Sequence, residues 1–361
     1  MTPQTIFSGL TVVELASVLA GPAVGLFFAE LGAKVIKIEN PKTKGDVTRA
    51  WKAPTENKDK SDSAYYHSVN NGKEVRFLNL KAEDDRQQVY ELIKTADIVV
   101  VNYRPGAASK LGMDYETLAQ LNPRLIYAEL TGFGAQDKRL AFDVVLQAET
   151  GFLHLSGEPD GPPVKMPVAL IDLLAAHQLK EGVLIALLQR ERHGKGSKVT
   201  TSLYASALAS LANQATNWLI AGYSPQRMGS QHPNIAPYGD ILRTADGKEL
   251  VLAIGVEAHF KQLCSLLEAE ELASDPRFLT NADRVAHRTE LIPLLQEKIG
   301  QFSDREALLT QLHQAGIPAG AIRDLPGVFE QAGTKDLLVS STDDQGNAIK
   351  TVRSVVFDIQ D

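Results

Sequence analysis

One carboxylate stands alone in an apolar stretch of this chain. Asp172 interrupts the run Val168–Ala176, which follows Pro167 and leads into a long helix-forming segment. Burying an unpaired charge is costly, so such a carboxylate is either held by partners or kept for chemistry. The alternative is an aspartate at the N-cap or in the first turn of a helix, where amides and the helix dipole stabilise the charge. The residue alone leaves both interpretations open.

Other reactive groups are sparse. The single cysteine, Cys264, excludes an internal disulfide, and its leucine-rich neighbours indicate an ordinary helix face. The eight histidines form no His-x-x-x-His pair and no cluster with metal-ligand spacing, so no metal site is predicted. Gly21 and Gly25 have part of the spacing of a dinucleotide fingerprint, but Pro22 removes an amide that a pyrophosphate would need. A nicotinamide dinucleotide site is therefore disfavoured.

The segments that must position Asp172 alternate between strands and helices. Short β-branched runs predict strands at 11–15, 34–38, 75–80, 97–101 and 125–130, with helices between them at 22–31 and 82–95. Strands joined by helices indicate a mostly parallel sheet that is covered on both faces. Ligands on such sheets bind at the carboxyl ends of the strands, which here are the loops at 17–22, 39–46, 102–106 and 131–134.

The later part of the chain has a different organisation. A long helix is predicted over Leu203–Leu219, and the glycine- and proline-rich segment after it indicates a domain boundary. A smaller α+β lobe is predicted from two strands at 241–243 and 249–254 and three helices at 258–267, 284–302 and 305–315. A last strand pair is predicted around Asp344–Asn347.

Composition limits the class of protein. The chain has 361 residues, of which 44% are hydrophobic and 22% charged, enough for a large core and two lobes. Its net charge of −7 argues against a nucleic-acid surface, so a polyanionic ligand would need a local basic patch. The N-terminus lacks the basic start of a signal peptide, and glycine and proline interrupt the apolar stretch near 15–29. We expect a cytoplasmic protein that does not enter a membrane.

Several short motifs occur in order along nearly the whole chain, namely Ala20–Pro22, Leu31–Glu39, Gly45–Arg49, Asn102–Gly106, Leu121–Tyr127, Thr131–Gly134 and the stretch around Asp172. Together they resemble the family III CoA-transferases, which include carnitine and formyl-CoA transferases and, as a divergent branch, α-methylacyl-CoA racemase. The resemblance implies an α/β fold, with a Rossmann-like parallel-sheet large lobe over 1–222 and a smaller α+β lobe over 223–324. It also implies that the segment 325–361 returns to the large lobe and that two chains form an interlocked, ring-like homodimer.

In that family the aspartate that matches Asp172 is the covalent nucleophile. The resemblance implies that Asp172 forms a mixed anhydride with the donor acyl group and then a thioester with CoA, which passes to a carboxylic acid acceptor; a carboxylate can form both bonds. Coenzyme A and acyl-CoA are then substrates, and no cofactor is permanently bound. The residues that match the family's CoA groove are Val18, Leu78, Lys81, Asn102, Tyr103, Arg104 and Lys110, with Lys37 and Arg76 as weaker candidates.

Positions that match the acyl pocket distinguish the branches of the family. Phe142, beside Asp143, stands where the racemase has its catalytic histidine, and phenylalanine cannot move a proton. Leu19 replaces the glutamine that formyl-CoA transferases use for a small acyl group, whereas Trp51 and Tyr65 match aromatic pocket positions of that branch. We therefore expect a CoA-transferase for a medium, partly apolar or branched acid and not for formate or oxalate. A racemase or epimerase of the same superfamily is the alternative.

Overall fold

The computed structural model describes residues 6–343 and 346–359. Its strands are β1 (Thr11–Leu15), β2 (Lys34–Glu39), β3 (Glu74–Phe77), β4 (Ile98–Val101), β5 (Ile126–Thr131), β6 (Lys198–Ser202), β7 (Tyr238–Arg243), β8 (Glu249–Ala253), β9 (Ala319–Ala321), β10 (Leu338–Thr342) and β11 (Ala348–Val352). Its α-helices are α1 (Ala20–Glu30), α2 (Ala64–Asn70), α3 (Glu83–Ile93), α4 (Ala107–Leu111), α5 (Tyr115–Leu121), α6 (Asp143–Glu149), α7 (Phe152–Leu155), α8 (Leu170–His193), α9 (Leu203–Ala209), α10 (Ala212–Ala221), α11 (Glu257–Leu266), α12 (Glu270–Ser274), α13 (Asn281–Ala286), α14 (Arg288–Ile299), α15 (Arg305–Gln314) and α16 (Leu325–Phe329). Within the described ranges, no helix combines the length and the apolar composition that crossing a membrane requires.

The chain divides into two compact units. The first contains the residues up to Phe152, Met166–Ala212 and the residues from Lys335 onward, and the second contains Leu153–Lys165 and Asn213–Thr334. Most of α10, which precedes the expected boundary at 222, therefore groups with the second unit.

A six-stranded parallel sheet forms the centre of the first unit, in the order β3-β2-β1-β4-β5-β6. Val13 of β1, for example, lies opposite Ile36 of β2 on one side and Val99 of β4 on the other. All four residues of β4 are fully buried, as expected for a strand covered on both faces. The strand order reverses between β1 and β4, so the loops after these two strands border the crevice where such sheets bind ligands.

Helices cover both faces of this sheet. Apolar residues of α1, α8 and α9 form one core cluster with the sheet, and residues of α3 and α5 form the other. Helix α1 lies close to β1 because it carries glycine at two contact points. A Cβ at Gly25 would overlap Oε2 of Glu14, and one at Gly21 would overlap the Cβ of Ala16. The glycine spacing that resembles part of a dinucleotide fingerprint thus has a packing role in this chain.

The predicted alternation of strands and helices is confirmed, and so is the α/β class. The single helix predicted over Leu203–Leu219 is wrong. The chain forms α9 and α10 there, and Ala212, the first residue of α10, takes a left-handed conformation with φ 46°. The helix predicted at 284–302 is likewise two helices, α13 and α14, which meet at His287.

The second unit has its own sheet and core. Strands β7, β8 and β9 pair antiparallel in that order. Buried side chains of β8, α11, α14 and α15, among them Phe260 and Leu291, form a separate core cluster.

The C-terminal residues lie against the first unit. Strands β10 and β11 form the predicted antiparallel pair, while Asp344 and Gln345 of the predicted turn lie outside the described residues. Further on, the carboxylate of Glu30 at the end of α1 accepts hydrogen bonds from the amides of Ser354 at 2.9 Å and Val355 at 2.8 Å. Val355 joins the core cluster beneath α1, and the ring of Phe357 lies 6.5 Å from that of Phe27. Val355 and Phe357 thereby pack against the apolar residues around α1.

Candidate active site

Asp172 lies in the first turn of α8, with 8% of its surface exposed. The N-cap residue of this helix is Ala169, which makes no side-chain cap hydrogen bond. The first amides of a helix have no partner within it, so these amides need an acceptor from elsewhere in the fold.

Asp143, the first residue of α6, supplies that acceptor. Its Oδ1 accepts hydrogen bonds from the amide of Ile171 at 2.7 Å and, more weakly, from the amide of Asp172 at 3.4 Å. Its Oδ2 accepts a hydrogen bond from Nε2 of the buried Gln147, whose Oε1 accepts one from the amide of Met166 at 2.9 Å. The match to a family pocket predicted Asp143 as a pocket residue; in the structure its carboxylate caps the helix that carries Asp172.

The surroundings of Asp172 disfavour its charged form. Burial raises the pKa of Asp172 to about 7, and the negative charge of Asp143 contributes to the rise. Burial also raises the pKa of Tyr65 to about 12, with the charges of Asp172 and Asp143 as further causes. Tyr65 therefore lies within electrostatic range of both carboxylates. The charged form of Asp172 is therefore less favoured than that of an exposed aspartate.

A cavity of about 220 Å³ opens beside Asp172. The predicted site residues that line it are Val18, Leu19, Asn102, Tyr103, Arg104, Phe142 and Asp172. They come from the loops after β1 and β4, from the residue before α6 and from the first turn of α8. The structure thus brings the predicted nucleophile together with part of the predicted CoA set and part of the predicted acyl pocket.

The loop after β1 has an unusual backbone. Val18 adopts φ 72°, a left-handed conformation that is a genuine outlier for a β-branched residue. The side chain of Asn102 holds the preceding residue from across the strand-order reversal. Its Oδ1 accepts a hydrogen bond from the amide of Ser17 at 3.0 Å, and its Nδ2 donates one to the carbonyl of Ser17 at 2.7 Å. Asn102 is therefore committed to the β1 loop as well as lining the cavity.

A second cavity, of about 810 Å³, shares Ser17 and Tyr103 with the first. Four lysines line it, namely Lys44, Lys52, Lys58 and Lys60, in addition to Lys37. The Nζ of Lys52 donates hydrogen bonds to the carbonyls of Asn57 at 3.0 Å and Lys58 at 2.9 Å, and so folds the loop that carries Lys58 and Lys60. These lysines form a local basic patch, which a chain with a negative net charge needs in order to bind a polyanion. Sequence matching missed it, although the lysine density between 52 and 60 was visible.

Several predicted residues line neither cavity. Leu78 is buried in the core on the α3 side of the sheet, whereas Lys81 and Lys110 are exposed. Trp51 and Tyr65 contact each other edge to face, with ring centroids 5.2 Å apart, outside the lining of the smaller cavity. The weaker candidates also have other roles. Arg76 pairs with Glu74 on the surface, and Lys37 is fully buried beside Glu14.

Arg139 is a cavity residue that sequence matching did not identify. Its guanidinium pairs with Asp137 at 2.8 Å and lies 3.7 Å from the ring centroid of Phe133. Both Arg139 and Asp137 line the smaller cavity, together with Arg104. Two arginines therefore stand at the wall of a cavity whose interior carries the carboxylate of Asp172.

Comparison with known proteins agrees with this picture. The family model for CoA-transferase family III matches residues 7–358. A succinate–glutarate CoA-transferase from Agrobacterium fabrum is 39% identical over 358 residues, which are 97% of this chain and 88% of that protein. An acetyl-CoA:oxalate CoA-transferase from Acetobacter aceti is 37% identical over 345 residues, which are 94% and 87% of the two chains. The crystal structure of a CAIB/BAIF family protein from Brucella suis matches with a TM-score of 0.84 at 39% identity, covering 98% of this chain and 93% of that one.

These matches run through both units, so the family predicted from the short motifs is confirmed. The named relatives are transferases of CoA, and this chain is a transferase as well. It belongs to CoA-transferase family III.

Proposed function

We propose that this enzyme moves CoA from an acyl-CoA donor to a dicarboxylic acid of four or five carbons, with Asp172 as the covalent nucleophile. The observation that carries the proposal is the buried carboxylate of Asp172, fixed in the first turn of α8 at the wall of a cavity formed by the predicted site residues. A carboxylate in that position can accept first an acyl group and then CoA.

The reaction proceeds through four bond exchanges. The Asp172 carboxylate attacks the thioester carbonyl of the donor, forms a mixed anhydride and releases CoA as a thiolate. The thiolate attacks the aspartyl carbonyl of that anhydride, which forms an aspartyl-CoA thioester and releases the donor as a free carboxylate. The acceptor carboxylate then attacks this thioester, and the thiolate released attacks the acceptor carbonyl of the new anhydride. The products are the acceptor's CoA thioester and free Asp172.

Two features of the cavity suit this chemistry. Burial makes Asp172 more basic than an exposed aspartate, with a pKa of about 7, and limits the access of the water that would hydrolyse the anhydride. Leu19 and Ala20 line the cavity at the start of α1, where the first amides of a helix are not used within it. Those amides are suited to hold the negative charge that develops on the attacked carbonyl oxygen.

Coenzyme A is assigned to the larger cavity and to its connection with the smaller one. Tyr103 lines both cavities, whereas Val18, Asn102 and Arg104 line the smaller one; together they would hold the thiol arm near Asp172. The lysine-rich loop and Lys44 would meet the phosphates, since a chain with net charge −7 must offer a local cation patch to a polyanion. Leu78, Lys81 and Lys110 remain proposed CoA contacts on the family match alone.

The acyl pocket favours an acid with an apolar middle and a second charge. Leu19 and Phe142 give the smaller cavity an apolar wall, and Trp51 and Tyr65 are proposed to extend it. Arg139 and Arg104 offer cations to a distal carboxylate at the same cavity. The name of the Agrobacterium relative contains two such acids, succinate and glutarate. Oxalate, named for the Acetobacter relative, lacks the apolar middle that this wall would cover.

Racemase activity is the less favoured candidate. It requires a group that removes and returns a proton next to the thioester, and Phe142 occupies the position at which the racemase branch has a histidine.

The proposed assembly is an interlocked homodimer. Within the described part of the chain, helix α10 contains no buried residue, although its sequence is largely apolar. Trp218, Leu219 and Ile220 expose 57%, 76% and 84% of their surfaces. A contiguous apolar surface of this kind marks an interaction site, and a second copy of this chain is the partner that the family architecture implies.

The test is to trap the covalent intermediate. The enzyme is incubated with succinyl-CoA, quenched in acid and digested, and the peptide that contains Asp172 is analysed by mass spectrometry for a succinyl or CoA adduct. Borohydride, which reduces an aspartyl thioester, provides an independent mark. Asp137→Asn is the matched control, because it removes another carboxylate from the wall of the same cavity. Turnover of succinyl-CoA and glutarate without an adduct at Asp172 would contradict the mechanism. Loss of the adduct in D137N would contradict it as well.

A further inference from the structure

Four charged side chains are buried beneath the loop that carries Val18. The Nζ of Lys73 lies 2.7 Å from Oε2 of Glu14, Oε1 of Glu14 lies 2.9 Å from Nζ of Lys37, and that Nζ lies 3.1 Å from Oδ2 of Asp46. All four side chains are fully excluded from solvent. The charges alternate in sign along this chain, so the network is neutral when every member is ionised.

Such a network is an expensive way to fill a core. Desolvating two ion pairs can cost more than their attraction returns, and apolar residues of similar volume are often as stable or more so. The charged forms of Glu14 and Lys37 are nevertheless favoured by their partners in the network. Burial alone would raise the pKa of Glu14, but Lys37 and Lys73 outweigh burial and hold the pKa of that carboxyl below its usual value. The network therefore has a role other than stabilising the fold, and its contacts with the backbone indicate what that role is.

Three of its members form hydrogen bonds with the backbone of the β1 loop or of the first turn of α1. Nζ of Lys37 donates a hydrogen bond to the carbonyl of Ala16 at 2.8 Å, and Nζ of Lys73 donates one to the carbonyl of Pro22 at 2.8 Å. Between these points, the carboxylate of Asp46 accepts a hydrogen bond from the amide of Val18, at 3.1 Å to Oδ2 and 3.3 Å to Oδ1. The network thus holds the segment 16–22 at its start, its middle and its end.

The middle contact is the one under strain. A left-handed conformation is strained for a β-branched residue, so it persists only when the surroundings fix it. Asp46 is fixed in turn by the amide of Thr48 at 3.0 Å and by the hydroxyl of Thr48 at 2.9 Å. Asp46 is consequently a rigid acceptor, aligned with the amide of the strained residue.

We infer that Asp46, supported by Lys37 and Glu14, is a positioning residue for CoA transfer: it holds Val18 in its left-handed conformation and thereby keeps Leu19 and Ala20 at the wall of the Asp172 cavity. The inference rests on the proposed function. Without the acceptor, Val18 relaxes to an ordinary negative φ, the turn before α1 changes direction, and the first amides of α1 leave the place where the reacting carbonyl must bind.

The primary test is Asp46→Asn. The asparagine oxygen can still accept from Thr48, but its amide group then faces two other donors, the Val18 amide and Nζ of Lys37. We expect kcat to fall about ten- to a hundredfold, which corresponds to the strain of the left-handed Val18 that Asp46 no longer stabilises. The KM for the acyl-CoA should change less than about threefold. Thr48→Val is the matched control. It removes one of the two hydrogen bonds that Thr48 donates to the same carboxylate, leaves the contact with Val18, and should therefore lower kcat less than D46N does.

Val18→Gly separates positioning from general stability. Glycine adopts φ 72° without strain, so it reduces the need for Asp46. In the V18G background we expect D46N to lower kcat at least about fivefold less than it does in the wild-type background. Equal losses in the two backgrounds would overturn the positioning role.

Asp46→Glu provides a second variant in case D46N does not fold. Glutamate keeps a charge for Lys37 but displaces the carboxylate from the Val18 amide, so positioning predicts a kcat loss that V18G relieves. A D46E enzyme with wild-type kcat would overturn the inference. Trapping distinguishes this failure from that of the proposed function. If D46N lowers kcat equally in the wild-type and V18G backgrounds while the wild-type enzyme forms its adduct at Asp172, only the role of Asp46 is excluded. If the wild-type enzyme forms no adduct at Asp172, the proposed mechanism is excluded.

Discussion

Replacing Asp172 by asparagine should abolish CoA transfer and at the same time stabilise the fold. The loss of activity follows from the loss of the nucleophile and should reach several orders of magnitude. The gain in stability follows from burial. Raising the pKa of Asp172 from 3.8 to about 7 means that the folded state disfavours the charged carboxylate. The neutral asparagine does not incur that cost.

The size of the effect depends on pH. Each pKa unit corresponds to about 1.4 kcal/mol, so the full penalty on the charged form is at most about 4 kcal/mol. A carboxyl group whose pKa is raised in the folded state contributes stability that is present below its unfolded pKa and is lost as pH rises through its folded pKa. The advantage of D172N is therefore largest above pH 7. It falls to about 1 kcal/mol at pH 4.5, where much of the carboxylate is protonated on folding.

The assay is thermal unfolding of wild type and D172N, followed by circular dichroism at pH 8.5 and pH 4.5. At roughly 2–4 °C per kcal/mol for a domain of 150–250 residues, D172N should melt up to about 8–16 °C above wild type at pH 8.5, and the gap should shrink to about a quarter at pH 4.5. Asp137→Asn is the control, because that half-buried carboxylate pairs with Arg139, which lowers its pKa. It should bring no gain at pH 8.5. A gap that does not change with pH, or a D172N variant that melts below wild type at pH 8.5, would refute the reasoning. Residual D172N turnover must be checked for deamidation to aspartate by mass spectrometry.

Three further predictions concern the same enzyme. Asp143→Asn removes a negative charge that contributes to the raised pKa of Asp172, so the acid limb of kcat/KM should move to lower pH; a limb that stays in place or moves up would contradict the assigned electrostatics. Leu19→Gln should shift selectivity toward oxalate over glutarate by about tenfold or more, because it gives a buried polar acid a hydrogen-bonding partner, and competition between the two acceptors measures it; an unchanged ratio would remove Leu19 from the acyl wall. Native mass spectrometry should find a dimer at nanomolar concentration, with a melting temperature that varies little on dilution, because interlocked chains cannot separate without unfolding; a monomer at micromolar concentration would exclude the interlocked assembly.

Some of the site could be predicted from the sequence because local signals agree with one another. Asp172 lies in an apolar run that begins a helix, and that helix ends at His193, directly before the left-handed cap residue Gly194. The strands at 11–15, 34–38 and 97–101 are short, apolar and β-branched, and their parallel pairing follows from the helices between them. Hydrophobic periodicity and the residues that end a helix or a strand are sufficient to predict these elements.

Other parts depend on contacts between distant positions. Asp143 and Asp172 are 29 residues apart in the sequence. The carboxylate of Asp143 caps α8, the helix that carries Asp172, only because α6 packs against α8. Lys37 in an isolated strand would be assigned to a solvated face or to a ligand. Its role becomes visible only in the register of the sheet, which sets Glu14 of β1 directly opposite it.

The division between α9 and α10 had no sequence signal either. The stretch 203–219 is rich in alanine, leucine and serine, and contains no glycine or proline to mark an end. Local helix propensity continues through Ser210 and Leu211, whereas the fold turns the backbone at Ala212. Tertiary packing overrides propensity here, as it often does for marginal preferences.

The bonds between Glu30 and the C-terminal segment have a consequence for synthesis on the ribosome. The amide of Val355 follows its acceptor by 325 positions. At about 5–20 residues per second, a nascent chain needs roughly 15–65 s to travel from one to the other. Phe27 and Glu30 of α1 therefore lack these contacts for that time, even though β1 to β5 emerge early. During this interval the part of α1 that later contacts Val355 and Phe357 is accessible to chaperones, an exposure that the folded enzyme does not have.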